Sequence, residues 1–133
     1  MSHKIVALLA GGALACLGLA SSHAAPPPPS AAILVAVADP ERPEADTKRD
    51  GMRHPAEVVA FGLVRPGSKV AEFAPGGGYY TRILAKTVGP KGHVYSIYVA
   101  SQGDRAAKGA AGVAETNPNV SLVPLSGTAF SLP

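Results

Sequence analysis

A chain of 133 residues has room for one folded domain once any targeting sequence is subtracted. Its 12 Lys and Arg residues exceed its 9 Asp and Glu residues only slightly, and charges of both signs alternate along the chain, so we predict no nucleic-acid partner. The only cysteine, Cys16, excludes an intramolecular disulfide, and the fold therefore depends on packing alone.

The N-terminus has the pattern of a secretory signal peptide. Lys4 supplies a positive start, and an apolar run over residues 5–20 follows it. This run is shorter than the roughly 20 residues of a membrane-spanning helix and has no charged flank after it, so we predict no stable membrane anchor. We assign the signal peptide to residues 1–24 and expect an exported protein, periplasmic or secreted. Ser22–Ala24 fits a cleavage site and the more distant Ala36–Ala38 fits one better, so the sequence leaves the exact cut open.

Residues 25–45 are predicted to be a proline-rich, disordered linker. Pro26–Ser30 is a polyproline stretch with few backbone donors. The apolar residues Ala31–Ala38 are either a second part of the signal or a patch packed onto the domain, and the sequence leaves both open. The charged, proline-containing segment Asp39–Arg53 indicates a solvated surface lead-in with at most a helical turn or two.

A helix is predicted to begin at Pro55, because proline is tolerated in the first turn and the run AEVVAFGLV that follows has helical periodicity. Val58, Val59 and Leu63 share one face of this helix, with Phe61 near its edge. We expect that face to pack against the core. An Arg-Pro-Gly turn then leads into the next element.

The central stretch is a short strand, a glycine-rich corner and a second helix. Lys69–Phe73 has the residues of a buried strand, and it ends abruptly in Ala74, Pro75 and the triplet Gly76–Gly78. From Tyr79 the apolar residues recur at helical spacing until a Gly-Pro stop. Glycines at such a corner let the backbone pass close to a ligand, and the free N–H groups of the helix start form a polar cradle. This is the outline of a cofactor site.

The rest of the chain continues the alternation of strands and helices. His93–Val99 alternates as a strand does, so the helix before it makes a βαβ unit with a parallel strand pair. Ser101–Glu115 predicts a second helix, weakened by its glycines, and Val120–Leu125 predicts a third strand. The predicted fold is α/β, a Rossmann-like parallel sheet that is incomplete, with about three strands and intervening helices, over residues 46–133.

The order of these motifs resembles that of the class I S-adenosylmethionine-dependent methyltransferases. It is most similar to a group of exported bacterial methyltransferases with a G-G-G-Y-Y-T loop and an upstream R-D-x-x-R-x-P-A-E-V segment, here Arg49–Val58. The resemblance covers about residues 40–127. It implies a Rossmann-like fold with a larger sheet, of which this chain carries only the N-terminal strands, so we expect a truncated product of a methyltransferase gene.

The resemblance also implies which residues bind S-adenosylmethionine. In that family the first strand ends in an acid followed by x-G-x-G-x-G; Glu72 matches the acid, and Ala74 stands at the first glycine position. Glu72 would then orient the loop and the ammonium end of the cofactor. An acid of the second strand ordinarily binds the ribose, and here Tyr98 takes its place, with a phenol that can make one such hydrogen bond or lie against the adenine. The implied cofactor-binding residues are Glu72, Ala74, Pro75, Gly76, Gly77, Gly78 and Tyr98.

Methyl transfer from a sulfonium needs positioning more than covalent help, so no catalytic triad is expected and no catalytic residue or methyl acceptor is assigned. The four histidines have no metal-ligand spacing, and we predict no metal. A dinucleotide site is a weaker alternative, because its third glycine position holds Thr81. A further alternative is a non-catalytic exported remnant, in which the glycines make only a tight turn.

Four more residues of the central helix have structural interpretations. One of Tyr79 and Tyr80 is expected to pack in the core and the other to face a ligand, with Tyr80 directed inward. Arg82 and Lys86 lie four residues apart and indicate a solvated basic edge.

Overall fold

The computed structural model describes residues 25–100 and 104–127, and the predicted signal peptide lies outside them. The elements in chain order are α1 (Ala31–Val37), α2 (Glu44–Thr47), α3 (Asp50–Arg53), α4 (Pro55–Phe61), β1 (Lys69–Phe73), α5 (Tyr79–Val88), β2 (His93–Val99), α6 (Asp104–Thr116) and β3 (Val120–Leu125). Within these ranges no helix has the length and apolar character needed to cross a bilayer.

The three strands form one parallel sheet in the order β1-β2-β3, as predicted for a Rossmann-like α/β fold. Val70 pairs with Val94 in β2, and Val94 pairs in turn with Val120 in β3. Crossovers between neighbouring parallel strands are right-handed, so α5 and α6 lie on the same face of the sheet. All three strands therefore end at one edge, where the glycine-rich corner follows β1.

Alternation along the strands divides the apolar residues between the two faces of the sheet. Val94 and Val120 join a main core with the α5 residues Ile83 and Val88 and with Val113 of α6. A smaller cluster on the opposite face contains three buried strand residues, Tyr95, Ile97 and Val123. The main core lies under α5, so this helix fixes where the glycine corner sits relative to the sheet.

The linker prediction for 25–45 is wrong over α1. Ser30 caps this helix, because its hydroxyl accepts a hydrogen bond from the amide of Ile33 at 3.4 Å. Ile33 and Ala36, three residues apart on one helical face, are buried in the main core, where α1 contacts α4 and α5. The apolar run is thus a patch packed onto the domain, one of the two alternatives that the sequence left open.

The charged segment Asp39–Arg53 forms the two expected helical turns, α2 and α3, but it is not a solvated lead-in. Arg42 is only 7% exposed and Asp46 only 5%. Their charges are paired: Arg42 donates to Asp50 at 2.7 Å, and Asp46 accepts from Arg49 and, at 2.9 Å, from Arg82 of α5. Burial is possible because each charge meets an opposite one.

The basic edge predicted for α5 is also engaged rather than solvated. Arg82 reaches Asp46 and donates a second hydrogen bond to the carbonyl of Gly77 at 3.0 Å. Lys86 pairs with Asp39 at 3.0 Å, although its own side chain stays exposed. These contacts tie the upstream segment to the helix that follows the glycine corner.

The face of α4 differs from the prediction. Val59 and Ala60 are buried, whereas Val58, Phe61 and Leu63 are 47%, 72% and 61% exposed. The helix ends at Phe61, and Leu63 has a left-handed backbone with φ 55°. Leu63 is therefore not on the helical face that the prediction assigned to it together with Val58 and Val59. The core-facing side of α4 is therefore narrower than the sequence pattern indicates.

Candidate functional site

The corner between β1 and α5 has left-handed backbone at every second residue. Ala74, Gly76 and Gly78 have φ of 57°, 53° and 78°. The amide of Ala74 donates to the Ile97 carbonyl of β2 at 2.9 Å, which holds the start of the corner against the sheet. This alternation places Ala74, Gly76 and Gly78 at the three glycine positions of the x-G-x-G-x-G pattern, and α5 begins directly after the third.

Replacing Ala74 with glycine is expected to stabilise the ligand-free domain by about 0.5–1 kcal/mol. Left-handed backbone costs an alanine about 1–2 kcal/mol, and glycine's extra freedom in the unfolded chain takes back about 0.4–1 kcal/mol. Urea unfolding measures the difference. Gly76→Ala is the matched control, because Gly76 has nearly the same φ and an added Cβ would meet no atom of the described chain within 4 Å. The control should lose stability; a loss for Ala74→Gly as well would contradict the strain argument.

Helix α6 packs its backbone directly onto this corner. A Cβ added at Gly109 would lie 2.3 Å from the Cα of Gly77 and 2.4 Å from the carbonyl oxygen of Gly76. At Gly78 an added Cβ would lie 2.9 Å from Val113 Cγ2, also on α6. The α6 glycines are weak helix formers in the sequence pattern, but Gly109 is what permits this close approach.

Glu72 is the only acid of β1, and its carboxylate is held by two buried hydroxyls. Thr81 of α5 and Ser96 of β2 both donate to its Oε2, at 2.7 and 3.0 Å. Both hydroxyl residues are fully buried, and burial also raises the pKa of Glu72 above its ordinary range, although the two hydrogen bonds act in the opposite direction. Among the described residues nothing donates to Oε1, which leaves that oxygen available to a ligand.

The carboxyl end of β1 opens into a cavity of about 280 Å³. Ligands of open α/β sheets bind outside the carboxyl ends of the strands, so this is the expected place for a site. Its polar and aromatic lining consists of Glu72, Tyr79, Tyr80 and Arg53, and Ala74 and Pro75 of the corner border it as well. Its apolar wall is formed by Val58, Val59, Val64, Leu84 and Phe73.

Three of the predicted site residues, Glu72, Ala74 and Pro75, line this cavity. Gly76 and Gly77 lie at the α6 contact, and Gly78 precedes α5. Tyr98 is half-buried near the end of β2, two residues after Ser96 and so on the same strand face, but it is not among the described residues that line the cavity. Sequence reasoning missed Thr81, Ser96 and Arg53.

Tyr79, and not Tyr80, is the inward aromatic residue: it is 3% exposed. Its hydroxyl donates to Asp50, which also accepts two hydrogen bonds from Arg42. Burial raises the pKa of Tyr79 to about 12, so the phenol remains protonated and keeps donating at neutral pH. Tyr80 is half-buried and donates to the carbonyl of Arg53 at 3.2 Å. Both rings thereby reach the cavity wall from fixed positions.

The parallel βαβαβ unit with a glycine corner after its first strand defines a Rossmann-like fold. The chain is similar in structure to a S-adenosylmethionine-dependent methyltransferase from Aquifex aeolicus, with a TM-score of 0.56 and 26% sequence identity. It is similar in sequence to the protein-L-isoaspartate O-methyltransferase of Ignicoccus hospitalis, with 45% identity over 42 residues. No protein-family model matches the chain.

The likenesses cover part of each protein. The structural match includes 65% of this chain and 45% of the Aquifex protein, and the sequence match includes 32% of this chain and 20% of the Ignicoccus protein. The chain thus spans less than half the length of either relative. Both relatives are methyltransferases, and the Aquifex protein is S-adenosylmethionine-dependent.

Proposed function

We propose that this chain binds S-adenosylmethionine in the cavity at the carboxyl end of β1 and forms the cofactor-binding part of a methyltransferase. The observation that carries the proposal is the carboxylate of Glu72: Thr81 and Ser96 hold one of its oxygens, and no described residue donates to the other. It stands directly before the left-handed corner. A partly buried acid with an unsatisfied oxygen fits a cationic group, such as the ammonium of the cofactor's amino-acid end.

Each part of the site has a role in this proposal. Glu72 binds the ammonium, and Ala74 and Pro75 carry the backbone of the corner along the cavity wall. Tyr79 and Tyr80 close one wall and exclude water. The bound cofactor supplies a methyl group on a sulfonium, and the protein's contribution is to hold it in place for a nucleophile.

Calorimetric titration with S-adenosylhomocysteine, the demethylated product, tests the proposal. We expect the wild-type chain to bind, and Glu72→Gln to bind about tenfold or more weakly, because a hydrogen bond to a charged group is worth about 1.5–3 kcal/mol. Gln keeps an oxygen that accepts from Thr81 and Ser96, so the fold is preserved. Absence of heat with the wild-type chain would favour the non-catalytic alternative, and binding of NAD instead would favour the dinucleotide alternative.

The raised pKa of Glu72 adds a pH dependence with opposite signs for binding and for stability. Affinity should fall as the pH drops through the folded-state pKa, because only the carboxylate pairs with the ammonium. The ligand-free domain should lose stability as the pH rises from the ordinary value of 4.5 through the folded-state pKa, because the folded state binds that proton more tightly than the unfolded chain. Glu72→Gln should abolish both dependences; if either survives in that variant, another group titrates.

We also propose that the protein is exported, in keeping with its resemblance to exported bacterial methyltransferases and with the apolar run that follows Lys4. Cleavage near residue 24 is favoured over cleavage after Ala38, since the later cut would remove α1 and with it two core residues, Ile33 and Ala36. N-terminal sequencing of the protein recovered from a secreting host tests this; a mature protein that retains Met1 would contradict export.

A further inference from the structure

Among the described residues, Arg53 differs from the other arginines around it in having no carboxylate partner. Arg42, Arg49 and Arg82 each form an ion pair with an aspartate. Within the part of the chain that the structure describes, Arg53 forms no ion pair; its Nε, like that of Arg42, is buried without a hydrogen-bond acceptor. A guanidinium without a carboxylate partner keeps an uncompensated positive charge, which an anionic ligand would neutralise.

The position of Arg53 is fixed by its neighbours. It is the last residue of α3, and its own carbonyl accepts a hydrogen bond from the Tyr80 hydroxyl at 3.2 Å. Its guanidinium lies 4.7 Å from the centroid of the Tyr79 ring, close enough for a cation–π contact. That ring is itself immobilised, because its hydroxyl donates to Asp50. A guanidinium restrained in this way is prepared for a ligand at little entropic cost.

Arg53 and Glu72 line the same cavity, so it presents one cation and one anion. An α-amino acid end carries the complementary pair of charges, a carboxylate and an ammonium. Guanidinium groups bind carboxylates with two parallel hydrogen bonds, which fixes orientation as well as affinity. A site with both charges therefore selects a zwitterion and fixes its orientation, with the carboxylate toward Arg53 and the ammonium toward Glu72.

We propose that Arg53 binds the carboxylate of the cofactor's amino-acid end while Glu72 binds its ammonium, so that Arg53 determines specificity for ligands that retain that carboxylate. This inference rests on the proposed function of the cavity. It predicts discrimination against an analogue that lacks only the carboxylate, because a site built around a charged hydrogen bond rejects a ligand that leaves it unmade.

The test compares two probes by calorimetry: S-adenosylhomocysteine and its decarboxylated analogue, which keeps the amine. The wild-type chain should prefer S-adenosylhomocysteine by about 10- to 100-fold, the range expected for one charged hydrogen-bond pair. Arg53→Met should bind S-adenosylhomocysteine more weakly by a similar factor while its affinity for the analogue stays unchanged, so that the preference disappears. Arg53→Lys keeps the positive charge but cannot form two parallel hydrogen bonds, so its preference for S-adenosylhomocysteine should be intermediate.

Controls separate this inference from the proposed function and from a structural role. Arg65→Met removes an exposed arginine that does not line the cavity and should keep the full preference. If the wild-type chain binds neither probe, the proposed function fails and the inference fails with it. If it binds both equally, or if Arg53→Met keeps the wild-type preference, only the inference is overturned. If Arg53→Met does not fold, Arg53→Lys tests the inference by the same measurement, the ratio of its affinities for the two probes.

Discussion

Replacing Gly109 with alanine is expected to destabilise the domain by about 2–3 kcal/mol, at the upper end of the cost of overpacking. The new methyl group would lie 2.3 Å from the Cα of Gly77, and backbone cannot move aside as a flexible side chain can. Helix α6 must therefore separate from the glycine corner. For a domain of this size the melting temperature should drop by about 10 °C, measured by circular dichroism.

The same helix offers a matched control three residues further on. Gly112 is exposed, and a Cβ added there would meet no atom of the described residues within 4 Å. Gly112→Ala should therefore stabilise the domain by about 0.5–1 kcal/mol, the ordinary advantage of alanine over glycine inside a helix. If Gly109→Ala were neutral or stabilising like its control, the close packing of α6 on the corner would be refuted.

Replacing Asp50 with alanine is expected to cost about 3–5 kcal/mol in the free energy of unfolding, because it leaves a buried charge without its partner. The Arg42 side chain is 2% exposed and donates two hydrogen bonds to Asp50. Tyr79 would lose its acceptor in the same variant. Unfolding in urea, followed by circular dichroism, measures the loss.

A second ion pair in the same region serves as the control for Asp50. Glu44 and Lys48 pair at 2.8 Å, but their side chains are 80% and 71% exposed. Solvent screens such a pair, so Glu44→Ala should change stability by no more than about 0.5 kcal/mol. Equal effects of Asp50→Ala and Glu44→Ala would show that the buried network contributes nothing beyond a surface pair.

The Asp50 network also predicts how the domain responds to acid. The hydrogen bonds from Arg42 hold the pKa of Asp50 below its ordinary value of 3.8, despite the opposing effect of burial. A lowered folded-state pKa means that the stabilisation is fully present above the unfolded value and is lost as the pH falls through the folded one. The wild-type chain should therefore lose more stability than Asp50→Ala below about pH 4.

The upstream segment matters for function because it builds part of the cavity. Tyr79 lies among the guanidinium groups of Arg42, Arg49 and Arg53, whose centres are 5.4, 5.0 and 4.7 Å from its ring centroid. Loss of the Asp50 contact would release this ring and, with it, the support of Arg53. Variants of the network should thus weaken ligand binding as well as stability.

Part of the candidate site could be read from local sequence. The acid at the end of β1 and the glycines after it are adjacent in the chain, so Glu72 and the corner were predictable. The residues that hold Glu72 were not, since Thr81 and Ser96 stand on two other elements at positions that look like ordinary core. In the sequence, Arg53 is one residue of the motif Arg49–Val58, and nothing local assigns it to the site.

The sequence by itself determined the three strands, the helices between them and the place of the glycine corner, because period-two and helical patterns and Gly-Pro stops act over a few neighbouring residues. Tertiary structure alone decided which charges are buried, which face of α4 packs and why α6 carries a glycine at its contact with the corner. Those features depend on partners far apart in the chain: Asp50 meets Tyr79 across 29 residues, and Asp46 meets Arg82 across 36. Local patterns cannot specify such pairs, because the free energy of burying a charge depends on what the folded chain places opposite it.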